Sequence, residues 1–210
     1  NANHLAPWGG IELLLSTNPI AVAVPGATQA VLLDMVTTEV AYGKVKVAAQ
    51  RGETMPEGWM IDAKGAPITD PTKAAGGSLL PIGGPKGYGL ALIFGLLAGT
   101  LNTAAFGRDV IDFNADDKSV TNTGQFVVAL DVKAFCDVAF FKNRVDAIRA
   151  EMKSSPLRSG FDDIRLPGER ALAAHKKRSA EGIPLPAPLM KELDKVASDL
   201  GIMPITARIA

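Results

Sequence analysis

The chain has 210 residues, 47% of them hydrophobic and 21% charged, with 22 Lys plus Arg against 22 Asp plus Glu. This is the balance of a globular chain able to bury a sizeable core, as one large domain or two small ones, and it excludes an overall basic field that would draw nucleic acid or an anionic membrane surface. The longest apolar stretch, Tyr88 to Leu101, contains three glycines and is shorter than the roughly 20 residues of a membrane span, while the single Cys136 permits no internal disulfide or cysteine knuckle and fits a reducing cytosol.

The chain opens Asn1-Ala2-Asn3-His4-Leu5-Ala6-Pro7-Trp8-Gly9-Gly10, with no initiator Met, targeting segment or capping pattern; upstream sequence is expected. Ile20 to Val24 has the length and β-branched content of a buried strand ended by Pro25-Gly26. Ala30 to Leu33 is a second buried strand, ending at Asp34-Met35-Val36-Thr37-Thr38, where a threonine can cap a helix from Glu39 to Gln50. A carboxylate between a buried strand and a helix lies where α/β sheets bind ligands. Trp59 to Asp62 reads as a short strand, Ala63 to Pro67 as a turn and Thr69-Asp70-Pro71 as a helix start.

Gly76 to Leu90 is a glycine-dense loop that feeds an apolar helix read from Gly87 to Gly99. Lys86 falls where that helix begins, and a cation in a first turn opposes the macrodipole unless an anion is bound there too. A ligand-binding lysine and a solvated one are both open at this point. Ala91, Gly95 and Gly99 recur every four residues as a smooth stripe for another helix, with Leu92, Phe94, Leu96 and Leu97 on the remaining faces, so the helix is expected to be buried almost all round. Asn102 to Thr123 reads as a polar surface excursion, Gln125 to Asp131 as a strand, and Ala134 to Ser154 as an amphipathic helix with Phe135, Val138, Val145, Ile148 and Met152 at helical spacing. Arg165 to Arg170 opens another helix, with Pro167 at the first helical position and Glu169 at the positive end of its dipole. Pro184 to Pro188 separates it from a last helix, Leu189 to Leu200. Strands alternate with helices, the pattern of an α/β chain.

Familiar motifs are absent. Lys86 is followed by glycine where a Walker A loop has Ser or Thr, and Gly87-Tyr88-Gly89 is followed by Leu92 where a Rossmann fingerprint has Gly or Ala. His4 and His175 are the only histidines, without a Gly-x-Ser-x-Gly elbow or a His/Cys pair at metal-ligand spacing. His175, before Lys176-Lys177-Arg178, reads as a solvated residue on a charged face, and the role of His4 is open.

Six pieces occur together and in order: Pro7-Trp8-Gly9-Gly10, Thr17-Asn18-Pro19-Ile20-Ala21, Leu33-Asp34-Met35, Gly58-Trp59-Met60-Ile61-Asp62, Lys86-Gly87-Tyr88-Gly89-Leu90-Ala91 and Leu166-Pro167-Gly168-Glu169. With them the chain resembles the malate/L-lactate dehydrogenase family of the non-Rossmann type, over the later part of that family's usual length. That family also holds ureidoglycolate, sulfolactate and diketogulonate dehydrogenases and a cyclic-imine reductase. The resemblance implies a cytoplasmic, homodimeric oxidoreductase that moves a hydride between NAD or NADP and a small 2-hydroxy or 2-oxo acid such as malate or lactate. It also implies a layered mixed α/β sheet with helices on its faces and a cofactor site unlike the Rossmann one.

Carried over by motif, Asp34, Met35, Val36, Lys86, Gly87, Pro167, Gly168 and Glu169 contact the cofactor, and Thr17 lies on the substrate side. The family's Ser-His pair and substrate-binding Arg fall upstream of Asn1, so residues 1–210 are expected to be the cofactor-binding core and C-terminal helices of a longer enzyme. No catalytic residue is assigned here. Two departures stand out: Pro85 occupies a position where a bulkier residue often precedes the lysine, and Lys44 aligns with an acidic position of the imine-reducing branch, which weakens that activity. The rival classes are a non-catalytic oligomerisation or ligand-binding module and a phosphate-ester enzyme using the same helix N-terminus.

Overall fold

A computed structural model describes residues 2–112, 116 and 118–209; part of the expected Asn102 to Thr123 excursion lies outside them. The chain divides into two units, Asn1–Pro167 and Gly168–Ala210.

In the first unit β1 (Ile20–Val24) and β2 (Val31–Met35) form an antiparallel ribbon, in register from Ile20 opposite Met35 to Val24 opposite Val31. Both strands were expected to be buried. They are only half-buried at best, because among the described residues no further strand joins the two-stranded ribbon: Val22 is 42% and Leu32 47% exposed. β2 also runs further than expected, so Asp34 sits within the ladder, opposite Ala21. Helix α1 (Tyr42–Arg51) starts three residues later than Glu39. The Thr38 hydroxyl donates to the Val40 carbonyl at 2.8 Å instead of capping the helix, whose N-cap Ala41 has no side-chain bond. Strands β3 (Met60–Ile61) and β4 (Ser78–Leu79) pair antiparallel. With α1 they enclose one core of Val40, Val45, Met55, Met60, Ile68 and Leu79.

Helix α2 (Pro85–Ala98) places Pro85 and Lys86 in its first turn. It contributes Ala91 to a second core with Leu5 and Leu15, against which Tyr88, Leu92 and Phe106 pack. The small-residue stripe is buried, but among the described residues loop side chains and not a helix lie on it. A Cβ on Gly95 would stand 2.6 Å from Phe106 Cε2 and 2.8 Å from Asn18 Nδ2, and one on Gly99 would stand 2.8 Å from the Ala105 carbonyl. Loop residues therefore fill the stripe, and Phe106 turns inward from a segment expected to be surface. The opposite side of α2 is open, with Ile93 52% exposed, so the expected all-round burial does not hold within this chain.

The expected strand at Gln125 to Asp131 is also absent among the described residues. The segment runs without regular structure, and Val127 and Leu130 are 86% and 76% exposed. Its residues have strand character, but no described segment pairs with them in a ladder; the Gln125 carbonyl accepts instead from the Asn102 side chain at 3.0 Å. Helix α3 (Val138–Lys153) begins later than Ala134, after a short 3₁₀ turn, because the Asp137 carboxylate accepts the Phe140 N–H at 2.7 Å and sets the N-cap there.

The second unit holds α4 (Glu169–Glu181), α5 (Ala187–Asp199) and α6 (Thr206–Ile209). Gly168 is the N-cap of α4 in the left-handed conformation, φ 91°, which puts Pro167 outside the helix rather than at its first position. Glu169 opens α4 as expected, and α5 begins two residues before Leu189, with Pro188 in its first turn. The class is mixed α/β. Among the described residues its sheets are two separate ribbons rather than a multi-stranded layer.

Candidate functional site

The Thr17 loop, the end of β2 and the loop entering α2 meet around one segment, Thr37 to Glu39. Thr37 is fully buried. Its N–H and its hydroxyl both donate to the Thr17 carbonyl, at 2.9 and 2.8 Å. Its own carbonyl accepts the Ile82 N–H at 3.0 Å, and the Glu39 N–H donates to Leu80 at 2.8 Å. The end of β2, the Thr17 loop and the loop entering α2 are thus tied together by backbone bonds, which hold position better than exposed side chains do.

On that frame Asp34 is exposed and Met35 and Val36 are half-buried. Gly83 and Gly84 have φ of 59° and 65°, and a Cβ on Gly84 would lie 3.1 Å from the Trp8 ring. Lys86 is exposed, with no hydrogen bond or ion pair among the described residues. Its charge stands in the first turn of α2 with no ion-pair partner within contact distance among the described residues. Gly87 is buried for a structural reason, since a Cβ there would fall 2.3 Å from the Ile82 carbonyl oxygen. The Glu39 carboxylate accepts the Gly83 N–H at 3.3 Å, placing an anion beside the same turn.

Pro167 meets β2 at its other end, next to the β1–β2 turn, where its carbonyl accepts the Leu32 N–H at 3.2 Å. Gly168 and Glu169 belong to the second unit.

Three participants were not legible in the sequence. Thr37 looked like a helix cap and is instead the junction. Asn18 takes φ 27° and its Nδ2 donates to the Ala91 carbonyl on α2 at 2.6 Å, a reach of 73 residues that no local pattern announces. His4 stacks on Tyr42, ring centroids 4.2 Å apart and planes at 6°. Burial in that stack lowers the His4 pKa below the ordinary histidine value; nearby Lys46 adds to the shift and Asp112 opposes it. His175 is exposed on α4.

A cavity of about 50 Å³ lies away from Lys86, lined by Asn3, Ser16, Asn18, Gly95 and Phe106 among others. The described residues hold no group of three His, Cys, Asp or Glu placed to bind a metal ion.

A profile of malate/L-lactate dehydrogenases matches residues 1–194. The chain is 40% identical over 198 residues to malate/(S)-sulfolactate dehydrogenase of Methanothermus fervidus, an alignment that takes in 94% of this chain and 57% of that protein. It superimposes on sulfolactate dehydrogenase from Methanocaldococcus jannaschii with a TM-score of 0.83 and 35% identity, over 97% of this chain and 58% of that one. For delta1-piperideine-2-carboxylate reductase from Pseudomonas syringae pvar. tomato the TM-score is 0.75 and the identity 29%, over 93% and 57%. The chain spans little more than half the length of these relatives.

Proposed function

The chain belongs to the malate/L-lactate dehydrogenase family, and on that premise we propose that it forms the cofactor-binding part of an NAD(P)-dependent oxidoreductase acting on a small 2-hydroxy or 2-oxo acid such as malate or lactate. The observation that carries this reading is the Thr37 junction, which ties Thr17, β2 and the start of α2 into one frame. Asp34, Met35, Val36, Lys86 and Gly87 form the cofactor set on that frame, with Thr17 on the substrate side. Pro167, Gly168 and Glu169 join the set on the resemblance of their turn alone. A layered, non-Rossmann sheet, a homodimer and a cytoplasmic location are parts of the same reading. The exposed side of α2, including Leu90, Ile93 and Leu96, supports a further subunit or segment covering it. No nucleic-acid or membrane partner enters it; among the described residues no helix is long and apolar enough to cross a membrane.

The residues present fit a nicotinamide dinucleotide. Lys86, an exposed cation in a helix's first turn with no ion pair among the described residues, suits an anionic diphosphate or carboxylate, and the exposed Asp34 carboxylate suits hydroxyl donors such as those of a ribose. The bound nicotinamide would supply or accept the hydride. The chain's own contribution is to hold: Lys86 neutralises an anion, Asp34 accepts hydrogen bonds, and the Thr37 bonds keep Thr17 at a constant offset from both. Reduction of a 2-oxo acid also requires a cation on the carboxylate and a proton donor near the carbonyl oxygen. Those roles are assigned to the family's Arg and Ser-His pair, outside these residues.

Calorimetric titration with NADH and NADPH tests the reading, together with NADH oxidation by pyruvate, oxaloacetate and other 2-oxo acids in the natural polypeptide. Saturable binding and turnover are expected. Absence of nicotinamide binding would overturn the reading in favour of a non-catalytic module, and binding of inorganic phosphate alone would favour a phosphate-ester enzyme. The likeness to the piperideine-carboxylate reductase gives cyclic-imine reduction as a second reading. Lys44, exposed on α1, argues against it, and the same assay with a cyclic imine decides.

A further inference from the structure

We propose that Asp146 and Arg149 of α3 are positioning residues that set the alignment of the cofactor strand β2 by gripping the turn between β1 and β2. The inference rests on the reading of Asp34 to Val36 as cofactor contacts. Positions 142, 146 and 149 are spaced to lie on one face of a helix, and all three hold this turn. The Lys142 carbonyl accepts the Ala27 N–H at 3.3 Å, and Asp146 Oδ2 accepts the Thr28 N–H at 2.8 Å. Arg149 donates to the Gln29 carbonyl at 3.4 Å and to Gln29 Oε1 at 3.1 Å. The Asp146 and Arg149 charges stand 3.6 Å apart, with side chains only 20% and 14% exposed. At Gly26 a Cβ would fall 2.3 Å from the Gln29 carbonyl and 2.4 Å from Asp146 Oδ1, so the turn is closed down onto the carboxylate.

A ribbon of two strands is marginal by itself, and every residue of β1 and β2 is half-buried or exposed among the described residues. Its orientation must come from its ends. The open end is held by the Thr37 bonds to Thr17 and by Asn18 on α2; the turn end is held by α3 and by the Leu32 bond to Pro167. Strand rise is about 3.4 Å per residue, so β2 is roughly 15 Å long and a tilt of about 5° at the turn moves its far end by more than about 1 Å. A misplacement of that size is enough to spoil a near-attack geometry.

Asp146→Ala is expected to raise the NAD(P)H dissociation constant on the order of tenfold, because the cofactor contacts of β2 are then displaced by about 1 Å. The 2-oxo acid KM should stay within about twofold, since the Thr17 carbonyl is held by Thr37 and not by the β1–β2 turn that α3 grips. Amide exchange along β2 should quicken while the melting temperature changes little. Asp146→Asn keeps an acceptor for the Thr28 N–H and should recover most of the affinity, which a requirement for charge alone would not allow. Where Asp146→Ala fails to fold, Arg149→Gln takes its place, with a smaller rise in the same constant. Unchanged cofactor affinity and unchanged β2 exchange would overturn the proposal, as would a general loss of stability without a selective loss of cofactor affinity. Asp34→Ala separates the two ideas: if it leaves cofactor binding intact, the cofactor reading itself fails, whereas if it weakens binding and the α3 variants do not, only the grip is wrong.

Discussion

Lys86 and His4 show how differently single residues can be read from sequence. Lys86 was conspicuous because a cation at a helix start is electrostatically out of place, and the structure leaves it exposed in the first turn of α2, with no ion pair among the described residues. Lys86→Ala should therefore weaken NAD(P)H binding, or raise the cofactor KM, about tenfold or more, as a charge-assisted contact worth roughly 1.5–3 kcal/mol would require. Its melting temperature should hardly move; unchanged affinity and kinetics would remove Lys86 from the site. His4 carried no such signal, since its partner Tyr42 is distant in sequence. Burial lowers its pKa, so the unfolded chain binds the proton more tightly than the folded one. Its contribution to stability is therefore complete above the ordinary histidine value and is lost as pH falls through that value towards the lower folded one. His4→Phe keeps an aromatic ring for the stack and cannot titrate. Between about pH 7 and pH 5 its melting temperature should fall less steeply than that of the wild type; parallel curves would show that His4 does not carry the effect. Gly87 is a subtler case, because glycine permits close approach without saying to what. Here the neighbour is the Ile82 backbone.

At the level of elements, existence was legible and surroundings were not. β1, β2, α2 and α3 lie close to where apolar periodicity puts them, yet the expected burial of β1, β2 and α2 fails, because periodicity records an apolar face and not what covers it. The strand expected at Gln125 to Asp131 fails for the related reason that a ladder needs a second strand. α1 starts late because Thr38 bonds to Val40, a local competition between side chain and backbone that residue type alone does not decide. The stripe on α2 was right in position and wrong in partner. Gly95→Leu must displace Phe106 and Asn18 and should cost about 1–3 kcal/mol by overpacking, read as a lowered melting temperature. A variant with wild-type melting behaviour would mean that the loop yields freely and that α2 is not seated as described.

For the whole molecule, the candidate site was legible chiefly through six ordered motifs, and the frame beneath them was not, since Thr37, Asn18 and the α3 grip act over long sequence separations. Residues 1–210 expressed alone should bind cofactor more readily than they turn over substrate. On the reading that the proton donor lies outside them, their rate with 2-oxo acids should fall below that of a polypeptide of the relatives' full length by about 10²–10⁴-fold or more. Equal rates would place the acid on His4 or His175. Residues 126–130 have a further consequence. Their backbone groups make no hydrogen bonds among the described residues, their side chains are largely apolar, and the chain's formal charges cancel. Such a segment can template another copy of itself while little long-range repulsion keeps copies apart. Handled as an isolated piece, the chain would have a shelf life governed by how concentrated it is, and dilution would preserve it better than cooling.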